Sequence, residues 1–158
     1  MEKKGITVDD LNLARSSTDP DVLHQIAEKL TCAGINGIIS NRLVNNDFIS
    51  EKTLDLLARI PNKTSCYCVD QNIATHRKTS VDTLEFLAVY GELYTQTAVV
   101  LNPKTPGYIL RFLRKDFNYV SYKKPELISY IYKHKNCPKD LQNHFVLNAI
   151  CKSIIYDK

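Results

Sequence analysis

The stretch AVVLNPKTPGYILRFL, from Ala98 to Leu113, decides the fold. One apolar run stops at Asn102-Pro103, and another begins just after Thr105-Pro106. Proline accounts for both events. Pro103 lacks an N–H and disfavours helical geometry at Asn102, so it ends a helix, whereas Pro106 lies where the N–H of a first helical turn would have no partner.

The rhythm recurs along the chain. Val69, Ile73 and Ala74 lead into His76-Arg77-Lys78-Thr79-Ser80 and then Leu84, Leu87 and Ala88. Ile39, Leu43 and Val44 lead into Asn46-Asp47-Phe48-Ile49-Ser50 and then Leu54, Leu57 and Ala58. Leu110 and Leu113 form the same apolar pair in the opening stretch. Weaker copies flank these three: Ser17-Thr18-Asp19-Pro20 before Leu23, Ile26 and Ala27, and Asn136-Cys137-Pro138 before Leu141 and Phe145. Pro20, Pro125 and Pro138 read as further helix starters, and Thr79 or Ser80 as an N-cap whose hydroxyl accepts from the next helix's free N–H groups. The anchor leucines 23, 54, 84, 110 and 141 are 31, 30, 26 and 31 residues apart. That period, with two helical segments per unit and no segment of sustained alternation, predicts an all-α solenoid of about five two-helix repeats.

The pattern of Val, three residues, apolar-Ala, one residue, Asn/His-Pro, one residue, Thr-Pro and Leu-x-x-Leu-Ala resembles the leucine-rich repeat variant family, bacterial relatives of the HEAT-like helical repeats. Val69 to Ala88 and Ala98 to Leu113 match it best, and the resemblance spans about residues 8 to 114. It implies a curved, right-handed stack used for binding and no reaction. The repeats here are longer than the family's, which favours two full α-helices per unit. Some relatives carry an N-terminal cysteine cluster for an iron–sulfur centre; nothing before Cys32 supplies one.

The chain of 158 residues fits one helical-repeat domain, 1–158, and its 44% hydrophobic and 24% charged residues place it among globular proteins without a disordered tract. MEKKGITVDD has two lysines with no apolar run behind them, and no 18-residue apolar segment occurs, so neither a signal peptide nor a membrane partner is expected. Five cysteines, at 32, 66, 68, 137 and 151, fit unpaired thiols in a reducing compartment, and the expected location is cytoplasmic.

Chemistry is sparse. In Cys66-Tyr67-Cys68 a single intervening residue on a helix points the two thiols about 200° apart, which suits small buried hydrophobes better than ligands of one metal ion. His76 occupies the turn of its repeat, where a turn or capping role is expected. The five glycines at 5, 34, 37, 91 and 107 form no phosphate loop, and Gly91 reads as a helix stop. The expectation is a non-enzymatic chain with no catalytic residues, cofactor or metal.

Charge says more. Residues 1–60 hold 7 basic and 9 acidic side chains, residues 61–107 hold 4 and 4, and residues 108–158 hold 10 and 4. Positions two before, one after and five after each anchor are expected opposite the core: Asp21, His24 and Glu28; Lys52, Asp55 and Arg59; Asp82, Glu85 and Val89; Tyr108, Arg111 and Lys115; Lys139, Gln142 and Val146. The column turns from acidic to basic and aromatic, then continues into Tyr119, Tyr122, Lys123 and Lys124. A solvated helical face accounts for it at the least. The functional expectation is a protein-binding ridge formed by Tyr108, Arg111, Lys115, Tyr119, Tyr122, Lys123 and Lys124, with Asp82 and Glu85 in the acidic repeat. It would engage an acidic or mixed-charge protein surface, as an immunity protein, antitoxin or inhibitor does when it occludes another protein. The alternative is a nucleic-acid partner bound by the basic C-terminal face.

Overall fold

A computed structural model describes residues 5–33, 37–60, 67–116 and 125–143. Its helices are α1 (Val8–Ser16), α2 (Pro20–Ala33), α3 (Gly37–Val44), α4 (Glu51–Arg59), α5 (Tyr67–Thr75), α6 (Val81–Tyr90), α7 (Leu93–Leu101), α8 (Gly107–Asp116) and α9 (Pro125–Lys133), with α10 at 139–143. No strand occurs among the described residues. The described residues are all-helical in class, and the chain divides into two compact units, Met1–Asn102 and Pro103–Lys158.

Local chemistry starts each helix where the sequence places a polar cap. Ser50 Oγ accepts from the N–H of Thr53 at 3.2 Å, and Ser80 Oγ from Thr83 at 3.0 Å. Ser80, not Thr79, is therefore the cap of α6; Thr79 is buried and its hydroxyl donates to the Ile73 carbonyl. Thr7 and Asp10 form a reciprocal capping box on α1, which satisfies two of its free N–H groups. Asp10 is only 4% exposed. Burial alone would raise its pKa, but hydrogen bonds from Lys29 and from the backbone and hydroxyl of Thr7, with the Lys29 charge, outweigh it and hold the carboxyl below its ordinary value.

In the Met1–Asn102 unit, α1, α3, α5 and α7 pack in sequence as one row, and α2, α4 and α6 as another. Consecutive helices join the rows, so the apolar stripe of each is enclosed between them. Leu23, Leu54 and Leu84 are fully buried there, as is Leu110 in the second unit. The expected fifth anchor differs. The N–H groups of Leu54, Leu84 and Leu110 bond the carbonyls of Ser50, Ser80 and Pro106; the residue doing the same toward Pro138 is Gln142, which is exposed. Leu141 matches Ile109 instead and is half-buried. Leu54 and Leu84 stand eight residues after the first residue of their turns, Asn46 and His76, and eight after His134 is Gln142, one beyond the expected anchor.

These turns share one hydrogen-bond scheme. The N–H groups of Ile49, Thr79 and Cys137 bond the carbonyls of Asn46, His76 and His134. The side chain at the first position accepts from the N–H two residues on: Asn46 Oδ1 from Phe48 at 2.9 Å, His76 Nδ1 from Lys78 at 3.1 Å and His134 Nδ1 from Asn136 at 3.1 Å. An imidazole nitrogen thus replaces an amide oxygen, and His76 has the turn role expected of it.

Each turn is also tied to one about a repeat earlier. Asn46 Nδ2 donates to the carbonyls of Ala14, Arg15 and Ser17, and Asn102 Nδ2 to those of Ala74 and His76. In the turns that begin with histidine, the third residue takes over: Lys78 Nζ donates to Asp47 and Ile49, and Asn136 Nδ2 to Pro103 and Thr105. Carbonyls at the end of one helix thereby gain donors from the next repeat.

Gly91 ends α6 as expected, but for reasons of space. A Cβ there would fall 2.3 Å from the Leu87 carbonyl oxygen and 2.7 Å from Thr95 Cγ2. Its φ of −75° is open to any residue.

Candidate functional site

In α8, apolar residues buried at Ile109, Leu110 and Leu113 leave Tyr108, Arg111, Phe112 and Lys115 outward. Tyr108 is 53% exposed. Arg111 lies on this face but is already engaged: its guanidinium forks onto Asp140 of α10, with N–O distances of 2.5 and 3.0 Å. Those hydrogen bonds, from Arg111, hold the Asp140 carboxyl below its ordinary range. Arg114 Nε donates to the Tyr132 hydroxyl at 3.1 Å and so ties α8 to α9. The cationic end of the face is left to Lys115, with Lys139 exposed beside Asp140. Tyr119, Tyr122, Lys123 and Lys124 lie outside the described residues, as does Val146.

In the first unit, Asp82 and Glu85 are exposed on α6 as expected, and Val89 follows one turn later. Beside them is an aromatic group that sequence reasoning passed over. The Arg59 guanidinium sits 4.6 Å from the centre of the Phe86 ring, Phe86 and Tyr90 ring centres are 4.9 Å apart, and Tyr90 is 74% exposed. Asp55 holds Arg59 in place through two contacts near 3 Å, 2.9 and 3.0 Å. The available signal was spacing: Asp55 and Arg59, like Phe86 and Tyr90, are four residues apart and so share a helical side.

At the position one after the anchor, His24 and Asp55 lie on the flank of their helices and not opposite the core, whereas Glu85 and Arg111 are exposed. His24 Nδ1 lies 3.0 Å from the Thr53 hydroxyl of the neighbouring helix, and Asp55 Oδ1 accepts from the Thr83 hydroxyl at 2.9 Å. A residue one step from the anchor is rotated only about 100° from it, which puts it on the flank where adjacent helices meet. Asp21, Lys52, Asp82, Glu28, Arg59 and Val89, at the other two positions, are exposed as expected.

The cysteine expectation needs one correction. Cys137 is buried, and burial followed by the nearby Asp140 charge pushes its thiol pKa up, against the Arg111 charge. Cys68 is exposed on the first turn of α5, where Asn41 Nδ2 approaches its sulfur at 3.4 Å. Cys68 is one residue from the buried Val69, so its side chain is rotated about 100° from the apolar stripe of α5. Cys66 and Cys151, and the Cys32 side chain, lie outside the described residues. Among the described residues no three His, Cys, Asp or Glu side chains group closely enough to hold a metal ion, and no helix is long and apolar enough to cross a membrane.

No protein-family model, curated protein or solved structure matches this chain.

Proposed function

We propose that this chain is a non-enzymatic helical-repeat module, built as a solenoid of two-helix units similar to the leucine-rich repeat variant pattern, that works in the cytoplasm by binding another protein. The observation that carries this reading is the pairing of exposed rings with charge on outward helix faces: Tyr108 and Phe112 with Lys115 on α8, and Tyr90 with Asp82 and Glu85 on α6. Aromatic side chains supply contact area at low entropic cost, and surrounding charge sets orientation. Occlusion of a target, as by an immunity protein, antitoxin or inhibitor, is the form of action that suits a compact surface of this kind.

The test is reconstitution. A candidate partner captured with the full chain is purified and titrated against wild type, Tyr108→Ala and Lys115→Glu, each checked for native helicity. Loss of affinity of about tenfold or more in either variant supports the reading. Equal affinity in all three removes α8 from the site. The basic Pro103–Lys158 unit favours a second reading, nucleic-acid binding, since it carries 11 basic and 4 acidic residues. A mobility shift that weakens steeply as salt rises would select it over a tyrosine-anchored protein interface.

A further inference from the structure

We propose that His76 makes the turn between α5 and α6 an acid-sensitive latch that holds neighbouring turns together. Its Nδ1 accepts from the N–H of Lys78 at 3.1 Å, so the ring is neutral and carries its one proton on Nε2. Asn46 closes its own turn with an amide oxygen, which accepts from Phe48 at any pH. An imidazole does not. A proton on Nδ1 would set one donor against another, and the turn must open for His76 to become charged. The chain thus has a titratable acceptor where a neighbouring turn has a permanent one.

Lys78 decides what opens with it. The residue whose N–H bonds His76 also carries the ammonium group that donates to the carbonyls of Asp47, at 2.6 Å, and Ile49, at 3.0 Å. The His76 carbonyl accepts from the N–H of Thr79 and from Asn102 Nδ2. One half-buried turn residue therefore stands between the tie to the preceding turn and the tie to the end of α7. The charged side chains of the adjoining segments are Asp70 on α5, Asp82 and Glu85 on α6, Asp47 in the preceding turn, and Arg77 and Lys78 in the turn itself; α7 has none, and Lys104 stands two residues past Asn102. None of these segments holds a second histidine, so His76 supplies the charge change near neutral pH. Linkage fixes the sign. The closed turn keeps His76 neutral and the open turn lets it bind a proton, so the closed form is fully favoured above the ordinary imidazole value of about 6.5 and loses ground as pH falls below it.

The experiment is amide hydrogen exchange of the full chain, wild type and His76→Asn, at about pH 7.5 and about pH 5.5, with the intrinsic rate divided out. Between those values the opening that exposes the Lys78 N–H should rise about tenfold in wild type. In His76→Asn, which puts at this position the residue found at Asn46 and Asn102, it should stay within about twofold. Nitrogen NMR of the imidazole in wild type tests the geometry without a substitution. Nδ1 should be bare and Nε2 protonated at about pH 7.5, and the Lys78 and Thr79 amide signals should shift with the same midpoint as the ring. A proton on Nδ1 of the neutral ring overturns the proposal, as does a ring titration that leaves the Lys78 signal in place. So does exchange at Lys78 that responds to acid equally in the two proteins, or in neither. Should His76→Asn fail to fold, the ring and amide titrations of wild type decide the matter alone.

Discussion

The side-chain amide of Asn102 lies 2.7 Å from the carbonyl oxygen of Ala74, 28 residues earlier in the chain. The asparagine is buried, and it also reaches the His76 carbonyl at 3.4 Å. One side chain thus joins the end of α7 to the end of α5.

Asn102→Ala should therefore destabilise the chain by about 1–3 kcal/mol, because two helix-end carbonyls lose a donor where water has little access. Asn45→Ala, at an exposed position in another turn, should stay within about 0.5 kcal/mol. Urea denaturation followed by circular dichroism measures both. Equal losses would mean that the turn contacts carry no stability.

Leu84 is fully buried between the helix rows, and Glu85 beside it is exposed. Leu84→Ala should cost about 2–5 kcal/mol through lost transfer energy and the cavity left behind, against about 0.5 kcal/mol or less for Glu85→Ala. The ratio of the two losses in chemical denaturation checks the repeat register.

Gly91→Ala should cost about 1–3 kcal/mol, since the added methyl meets the Leu87 carbonyl oxygen and the Thr95 side chain and must push α6 from α7. Thermal melting against wild type reads the loss. Thr95→Ser in the same chain removes one of the two obstacles and should recover part of it.

Asp10 gives stability a pH dependence of definite sign. Its folded-state pKa is lowered, so its contribution is fully present above the unfolded carboxylate value and is lost as pH falls through the folded value. Wild type should lose stability between roughly pH 4 and pH 2 beyond what Asp10→Asn loses over the same interval. Near neutral pH the substitution should cost about 1–3 kcal/mol, the range for a hydrogen bond to a charged group. Melting curves for both proteins across that window decide it, and parallel curves would remove Asp10 as the source.

Thiol labelling should separate two cysteines. Cys68 is exposed, while Cys137 is buried with its thiol pKa raised, so alkylation mapped by peptide mass should reach Cys68 first and Cys137 only on unfolding. The reverse order would contradict the packing of the second unit.

Much of the fold was legible in residue order. Helical periodicity, the prolines at 20, 103 and 125, and the hydroxyl caps at Ser50 and Ser80 act within a few residues of where they sit, so local sterics and hydrogen bonding place the helices and bury Leu23, Leu54, Leu84 and Leu110. Tertiary structure alone decided the rest. That Arg111 would spend its guanidinium on Asp140, and that Arg59 would lie over Phe86, depend on how separate helices meet. The physical reason is range. A cap or a proline acts on its own turn, whereas the availability of a charged or aromatic side chain to a partner depends on neighbours some thirty residues away, brought close only by packing.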